Sequence, residues 1–256
     1  MGGRRPQHPR PDHAWARPRV GRGRRGRRLR AVARGEVPGR GGGGGGGGAP
    51  PAGGGGGAAP RPVAVAQCAA VARHLLDGAG GLPVDGSRLA LAGDSGGANM
   101  ALATTLLLRD EAAEGRPPVA VTALALYYGL YGLRDSASRR LLGGPWDGLT
   151  EADLEYYSEC YLADPADARS PYLDCLGADL GSGVPPCYLA AAELDPLRDD
   201  TAALAQMLAV RGVRHVHDVF DGVLHGFLHH SRMLDDAVVA LQRGGAFLRR
   251  AFETTH

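Results

Sequence analysis

From Val63 onward the chain carries two hydrophobic rhythms in turn. Val63, Ala66, Ala70, Val71, His74 and Leu75 recur at helical spacing and predict a helix over Val63 to Asp77, ended by Gly78, Gly80 and Gly81. Pro83-Val84-Asp85-Gly86-Ser87 has turn composition, and Arg88 to Ala92 is a short, largely apolar run that predicts a strand. Gly93 to Gly97 interrupts it before Ala98 to Ala113 resumes a helical pattern, so the local order is strand, tight turn, helix. Further buried strands are predicted at Val119 to Tyr127, Cys187 to Ala192 and His215 to Phe220, with helices at Asp200 to Val210 and Met233 to Phe252. Strands alternating with helices predict an α/β architecture, a mostly parallel sheet with helices on both faces. Thr150 to Leu162 is a helix outside that rhythm, inserted between strands. Thr150-Glu-Ala-Asp153 resembles a capping box. Tyr156, Tyr157 and Tyr161 stripe this helix, which reads as core packing, with a roof over a pocket as the alternative.

Composition divides the chain in two. Residues 1–62 hold 14 of the 29 basic residues, 20 of the 41 glycines and 9 of the 18 prolines, with Asp12 and Glu36 as their acids; this segment carries +12 and residues 63–256 carry −10. The first segment lacks the apolar surface to offset about 1–2 kcal/mol of backbone entropy per residue, and a low-complexity, disordered segment is expected there. Gly41 to Gly48 and Gly53 to Gly57, joined by Ala49-Pro50-Pro51-Ala52, have linker composition. The arginines from Arg22 to Arg30 suit a nucleic-acid arm, yet no aromatic side chain is interleaved for base stacking, so no nucleic-acid partner is expected. All 29 basic residues are arginine, isoleucine is absent and Asn99 is the sole asparagine, as very GC-rich codons produce. The reading placed first for residues 1–62 is such DNA translated in a shifted frame. The second segment alone has the composition and length of a globular domain. No apolar run approaches a span of about 18 residues and no secretory signal is legible, so a soluble cytoplasmic protein is expected.

Gly93-Asp94-Ser95-Gly96-Gly97 matches Gly-x-Ser-x-Gly in the context that gives the pattern meaning. A sharp strand-to-helix turn lifts the serine hydroxyl off the sheet and aims the helix N-terminus at it. A serine hydroxyl is a weak nucleophile until an imidazole, oriented by a carboxylate, takes its proton. Asp195 follows the strand Cys187 to Ala192 and is the favoured carboxylate. Glu193, Asp199 and Asp200 compete, although Asp199 and Asp200 also suit capping of the next helix. His225 lies after the last strand, with His229 and His230 farther on and His215 and His217 inside the strand. The chain order Ser95, Asp195, His225 is that of α/β-hydrolases.

Residues from about 60 to 256 resemble the hormone-sensitive-lipase-like α/β-hydrolases, and among them the bacterial acetyl esterases. The resemblance rests on Val84-Asp85 through Gly93-Asp94-Ser95-Gly96-Gly97-Ala98-Asn99, on Asp195-Pro196-Leu197-Arg198-Asp199-Asp200 and on Leu224-His225-Gly226-Phe227. Tyr128 to Asp135, Arg139 to Gly148, Ser170-Pro171-Tyr172 and His229 to Met233 are similar to the acetyl esterases in particular. It implies Ser95 as nucleophile, His225 as general acid and base, Asp195 as its orienting partner, Gly96 N–H as an oxyanion donor, short acyl esters as small-molecule substrates, and no metal or organic cofactor. The family also carries a His-Gly-Gly-Gly type loop upstream of the serine, which supplies further oxyanion donors. No such motif stands here, because Gly41 to Gly48 follows Gly39-Arg40. Nor are the first strands of the expected sheet legible, which leaves a slow, poorly soluble enzyme as the expectation. The alternative is a truncated, impaired hydrolase remnant or a non-catalytic binding protein. Gly-Asp-Ser-Gly-Gly also occurs in chymotrypsin-like proteases, but their histidine and aspartate precede the serine. Cys68, Cys160, Cys175 and Cys187 lack metal-ligand spacing and read as reduced thiols, Cys68 and Cys187 in the core.

Overall fold

The computed structural model describes residues 62–77, 85, 88–146, 148–162 and 165–254. The expectations for residues 1–61, for Gly78 and the following glycines, and for most of the turn before Arg88 lie outside these. Six α-helices and four strands, with three short 3-10 helices among them, follow one another in the described residues: α1 Val63–Leu76, β1 Leu89–Asp94, α2 Gly96–Ala113, β2 Val121–Tyr127, α3 Ala137–Leu142, α4 Glu151–Tyr161, β3 Cys187–Leu194, α5 Arg198–Val210, β4 His215–Leu224 and α6 Asp235–Glu253. The four strands form one sheet in the order β1-β2-β3-β4, every pair parallel. Among the described residues β1 and β4 are its two edges.

β2 and β3 lie in the middle of the sheet and are buried almost throughout, as parallel strands covered on both faces must be. Their side chains alternate between two separate cores. Leu124, Leu126, Cys187 and Leu189 pack with Val65 and Ala69 of α1, Leu102 and Leu106 of α2, and Leu204 and Leu208 of α5. Ala123, Ala125, Tyr127, Tyr188 and Ala190 face the other way, against Ala240, Phe247 and Ala251 of α6. Alanines on that face let α6 approach closely. Gly244 of α6 sits against the Tyr127 hydroxyl, where a Cβ would overlap it.

Two expectations are corrected. Cys68 is exposed, because α1 buries the stripe Val65, Ala69 and Ala72 and the cysteine lies on the flank of that stripe, about 65° of helical rotation from its centre. α4 has no fully buried residue, and Tyr156 and Tyr157 are 62% and 50% exposed, so these two tyrosines are not core packing, whereas Tyr161 is half-buried. The start of α4 is as expected: Asp153 N–H donates to Thr150 Oγ1 and Thr150 N–H to Asp153 Oδ2, closing a capping box. Cys187 is fully buried, which pushes its thiol up to about 12.

His217 in β4 has a buried Nε2 without a hydrogen-bond partner among the described residues, and burial, with His215 beside it, depresses its pKa below the ordinary 6.5. The folded state therefore binds this proton less readily than the unfolded chain. The stability contributed by neutral His217 is present above 6.5 and is lost as the pH falls through that value toward the depressed one. Urea unfolding across this window should show falling stability at lower pH, and His217→Leu should flatten the dependence; an equally steep dependence in the variant would remove His217 as its source.

Candidate active site

In a parallel sheet all strands end on the same side, and the residue after each strand is brought to one rim. Ser95 follows β1, Tyr128 follows β2, Asp195 follows β3 and His225 follows β4. These four residues, spread over 131 positions of sequence, meet there.

Ser95 occupies the turn between β1 and α2 with φ 54° and ψ −125°, a backbone conformation that costs a non-glycine residue about 1–3 kcal/mol. The turn is tight enough that a Cβ at Gly93 would overlap the Gly97 carbonyl and lie 2.8 Å from Ala98 N, so glycine is required there. Ser95 N–H donates to Tyr127 O at 2.9 Å, tying the turn to the end of β2. Gly96 opens α2, and as the first helical residue its N–H has no intrahelical acceptor, whereas Ala98 N–H already donates to Ser95 O at 3.0 Å.

The imidazole of His225 bridges the other two expected residues. Its Nε2 lies 2.9 Å from Ser95 Oγ and its Nδ1 lies 2.8 Å from Asp195 Oδ2. Asp195 is fully buried, and its other oxygen accepts the Leu197 N–H at 2.7 Å, which fixes the carboxylate orientation. An uncompensated buried carboxylate is costly, so its two partners are integral to its position.

The competing residues are all engaged elsewhere. Glu193 Oε2 accepts the Gly222 N–H at 2.7 Å, and Asp199 Oδ2 accepts the Ser138 N–H at 2.9 Å. Asp200 is fully buried; its Oδ1 accepts the N–H groups of Tyr131, Gly132 and Leu133, and its Oδ2 meets Arg139 Nη2 at 3.1 Å. Burial pushes the Asp200 carboxyl up, against the pull of Arg139 and these N–H groups. Asp199 and Asp200 thus hold the segment after β2 in place, and neither caps α5. His215 Nδ1 lies 2.9 Å from Val213 O, whereas His229 Nε2 is 3.3 Å from Asp94 Oδ2 at the rim. Among the described residues no three His, Cys, Asp or Glu side chains are grouped to hold a metal ion.

A cavity of about 620 Å³ opens over Ser95, lined by Tyr128, Trp146, Val223, His225 and His229 among others. Tyr128 was no candidate in the sequence. It is fully buried, its φ is 38°, and its ring meets the His225 ring edge-on with centroids 4.9 Å apart. Its hydroxyl donates to Asp94 Oδ2 at 3.3 Å, and burial followed by the charge of Asp94 raises its pKa and keeps it protonated. Its place directly after a predicted strand beside the serine turn was the available signal.

Three solved structures convey how widely this arrangement of elements recurs. An esterase from Pyrobaculum calidifontis superposes with a TM-score of 0.65 at 32% identity, covering 73% of this chain and 60% of that one. A thermophilic and thermostable carboxylesterase cloned from a metagenomic library gives 0.66 at 30% identity, over 73% and 63% of the two chains. A thermostable esterase from Pseudomonas putida gives 0.65 at 26% identity, over 73% and 58%. The present chain therefore spans about three fifths of the length of these proteins. Among the described residues no helix is long and apolar enough to cross a membrane. The sequence profile described as alpha/beta hydrolase fold matches residues 58–229, more than half of the chain, and with the parallel sheet and its strand-turn-helix at Ser95 this means that the chain belongs to the α/β-hydrolase family.

Proposed function

We propose that this chain is a serine esterase that hydrolyses short-chain acyl esters, acetyl esters foremost, through Ser95, His225 and Asp195. The observation that carries the reading is the continuous chain from Ser95 Oγ through the imidazole to the buried Asp195 carboxylate, with steps of 2.9 and 2.8 Å. In this reading His225 Nδ1–H donates to Asp195 Oδ2, which leaves Nε2 free to accept the Ser95 proton as Oγ attacks the ester carbonyl. The tetrahedral oxyanion receives the Gly96 N–H at the start of α2. His225 then gives its proton to the departing alcohol, leaving an acyl group on Ser95 Oγ. Water repeats the sequence on the acyl-enzyme: His225 takes its proton, the acid departs and Ser95 regains its hydrogen. The resemblance of Tyr128 to Asp135 and of Arg139 to Gly148 to the acetyl esterases supports the short acyl group. The four unpaired cysteines fit a reducing, cytoplasmic setting.

The test uses the full chain with a fluorophosphonate and a series of p-nitrophenyl esters. The expected result is one phosphonate per chain on the Ser95 peptide, parallel loss of turnover, and faster hydrolysis of acetate and butyrate than of decanoate. Labelling at another residue would overturn the nucleophile, and a preference for decanoate would overturn the acyl class.

A further inference from the structure

Three of the four residues that directly follow the strands form the relay proposed above, and the fourth, Tyr128, lies against it. The relay's two hydrogen bonds leave His225 from opposite sides of the ring. They fix its Nδ1–Nε2 direction but leave the ring able to tilt about that direction. A tilt of the imidazole would spoil the angle at which Nε2 meets first the serine and then the departing alcohol.

Tyr128 stands where that tilt would be blocked. Its ring meets the imidazole at 63° with centroids 4.9 Å apart, and it is backed by Phe227 at 5.4 Å, itself backed by Phe220 at 5.3 Å. Its backbone is pinned as well, since Tyr128 N–H donates to Ala190 O at 2.6 Å. The hydroxyl is tied to Asp94, the residue before Ser95, on the same oxygen that faces His229. A bulky aromatic held at φ 38° is a strained arrangement that the surroundings must enforce, and such strain concentrates where a side chain has to be placed. We infer that Tyr128 is a positioning residue for the reaction: its ring walls the His225 imidazole and holds it in the plane shared by Asp195 and Ser95. The inference rests on the esterase reading of that site.

A wall that acts on the imidazole should affect the chemical steps more than substrate binding. Tyr128→Leu and Tyr128→Met remove the ring while keeping an apolar side chain, and Tyr128→Phe keeps the ring and loses the hydroxyl. With p-nitrophenyl acetate, kcat should fall about 10- to 100-fold in the Leu and Met variants, with KM within about twofold, and should stay within about threefold in the Phe variant. Unfolding midpoints identify the variants that remain folded. A folded Leu or Met variant with wild-type kcat would overturn the inference. So would a tenfold loss in the Phe variant, which retains the wall and is informative even if the other two do not fold. Ser95→Ala is measured alongside. Wild-type turnover that does not depend on Ser95 would overturn the esterase reading and the inference with it, whereas Ser95-dependent turnover that ignores the ring would overturn the inference alone.

Discussion

Ser95→Ala should lower kcat for p-nitrophenyl acetate by about 10⁴- to 10⁶-fold, because members of such a relay act as a unit and little survives the loss of the nucleophile. The fold should be unaffected. Alanine and serine both carry a Cβ and bear the same strain at φ 54°, and Ser95 holds the turn to β2 through its backbone N–H, which the variant keeps. His225→Ala should fall into the same range, since the proposed mechanism uses Nε2 as the base in both half-reactions. His229→Ala should lose far less, for His229 meets Asp94 at 3.3 Å and does not reach Ser95 Oγ. Steady-state kinetics with matched unfolding curves checks the set. Wild-type turnover in Ser95→Ala would end the nucleophile assignment, and equal losses at His225 and His229 would end the assignment of the base.

The largest loss of stability is expected from Asp200→Ala. Deleting this fully buried carboxylate strands the N–H groups of Tyr131, Gly132 and Leu133 and leaves the Arg139 guanidinium without its partner. Arg139 Nε is already buried without a hydrogen-bond partner among the described residues, so the guanidinium has little to fall back on. Removing one side of a buried charge pair costs about 3–5 kcal/mol, and stranded N–H groups add to it. Asp200→Asn keeps an acceptor oxygen for the three N–H groups but not the opposite charge, and should lose an intermediate amount. Urea unfolding of the two variants against wild type measures both. A loss below about 1 kcal/mol in Asp200→Ala, the size of an ordinary surface change or a single hydrogen bond, would mean that water replaces the carboxylate and that the segment after β2 is held by other contacts.

Much of the architecture was legible because local pattern and tertiary role coincide here. Arg88 to Ala92, Cys187 to Ala192 and His215 to Phe220 each read as strands and are strands, although the last runs four residues farther, to Leu224. The extension carries Leu224 into register with Leu194, after an irregularity between Ala192 and Leu194, and sets His225 beside Asp195. Where periodicity misled, the reason is geometric. Cys68 and the α4 tyrosines have helical spacing, but spacing states only that residues share a face. It does not state whether another element covers that face, and for Tyr156 and Tyr157 none does among the described residues.

The sequence by itself determined the α/β class, the sharp glycine turn that presents Ser95, and the order of serine, carboxylate and histidine along the chain. These follow from side-chain size, backbone freedom and hydrophobic period, which act over a few neighbouring residues. Only the tertiary structure shows which of Glu193, Asp195, Asp199 and Asp200 lies against the His225 imidazole, because four carboxylates within eight positions are locally equivalent as acids. What separates them is which way each points when β3 ends beside β4. The same holds for Tyr128, the first residue of a family-like stretch with no legible role until parallel pairing sets its ring beside an imidazole far along the chain. Contacts of this kind depend on strand order and register, and those are settled by the burial of both sheet faces together, a property of the whole domain that no short window of sequence contains.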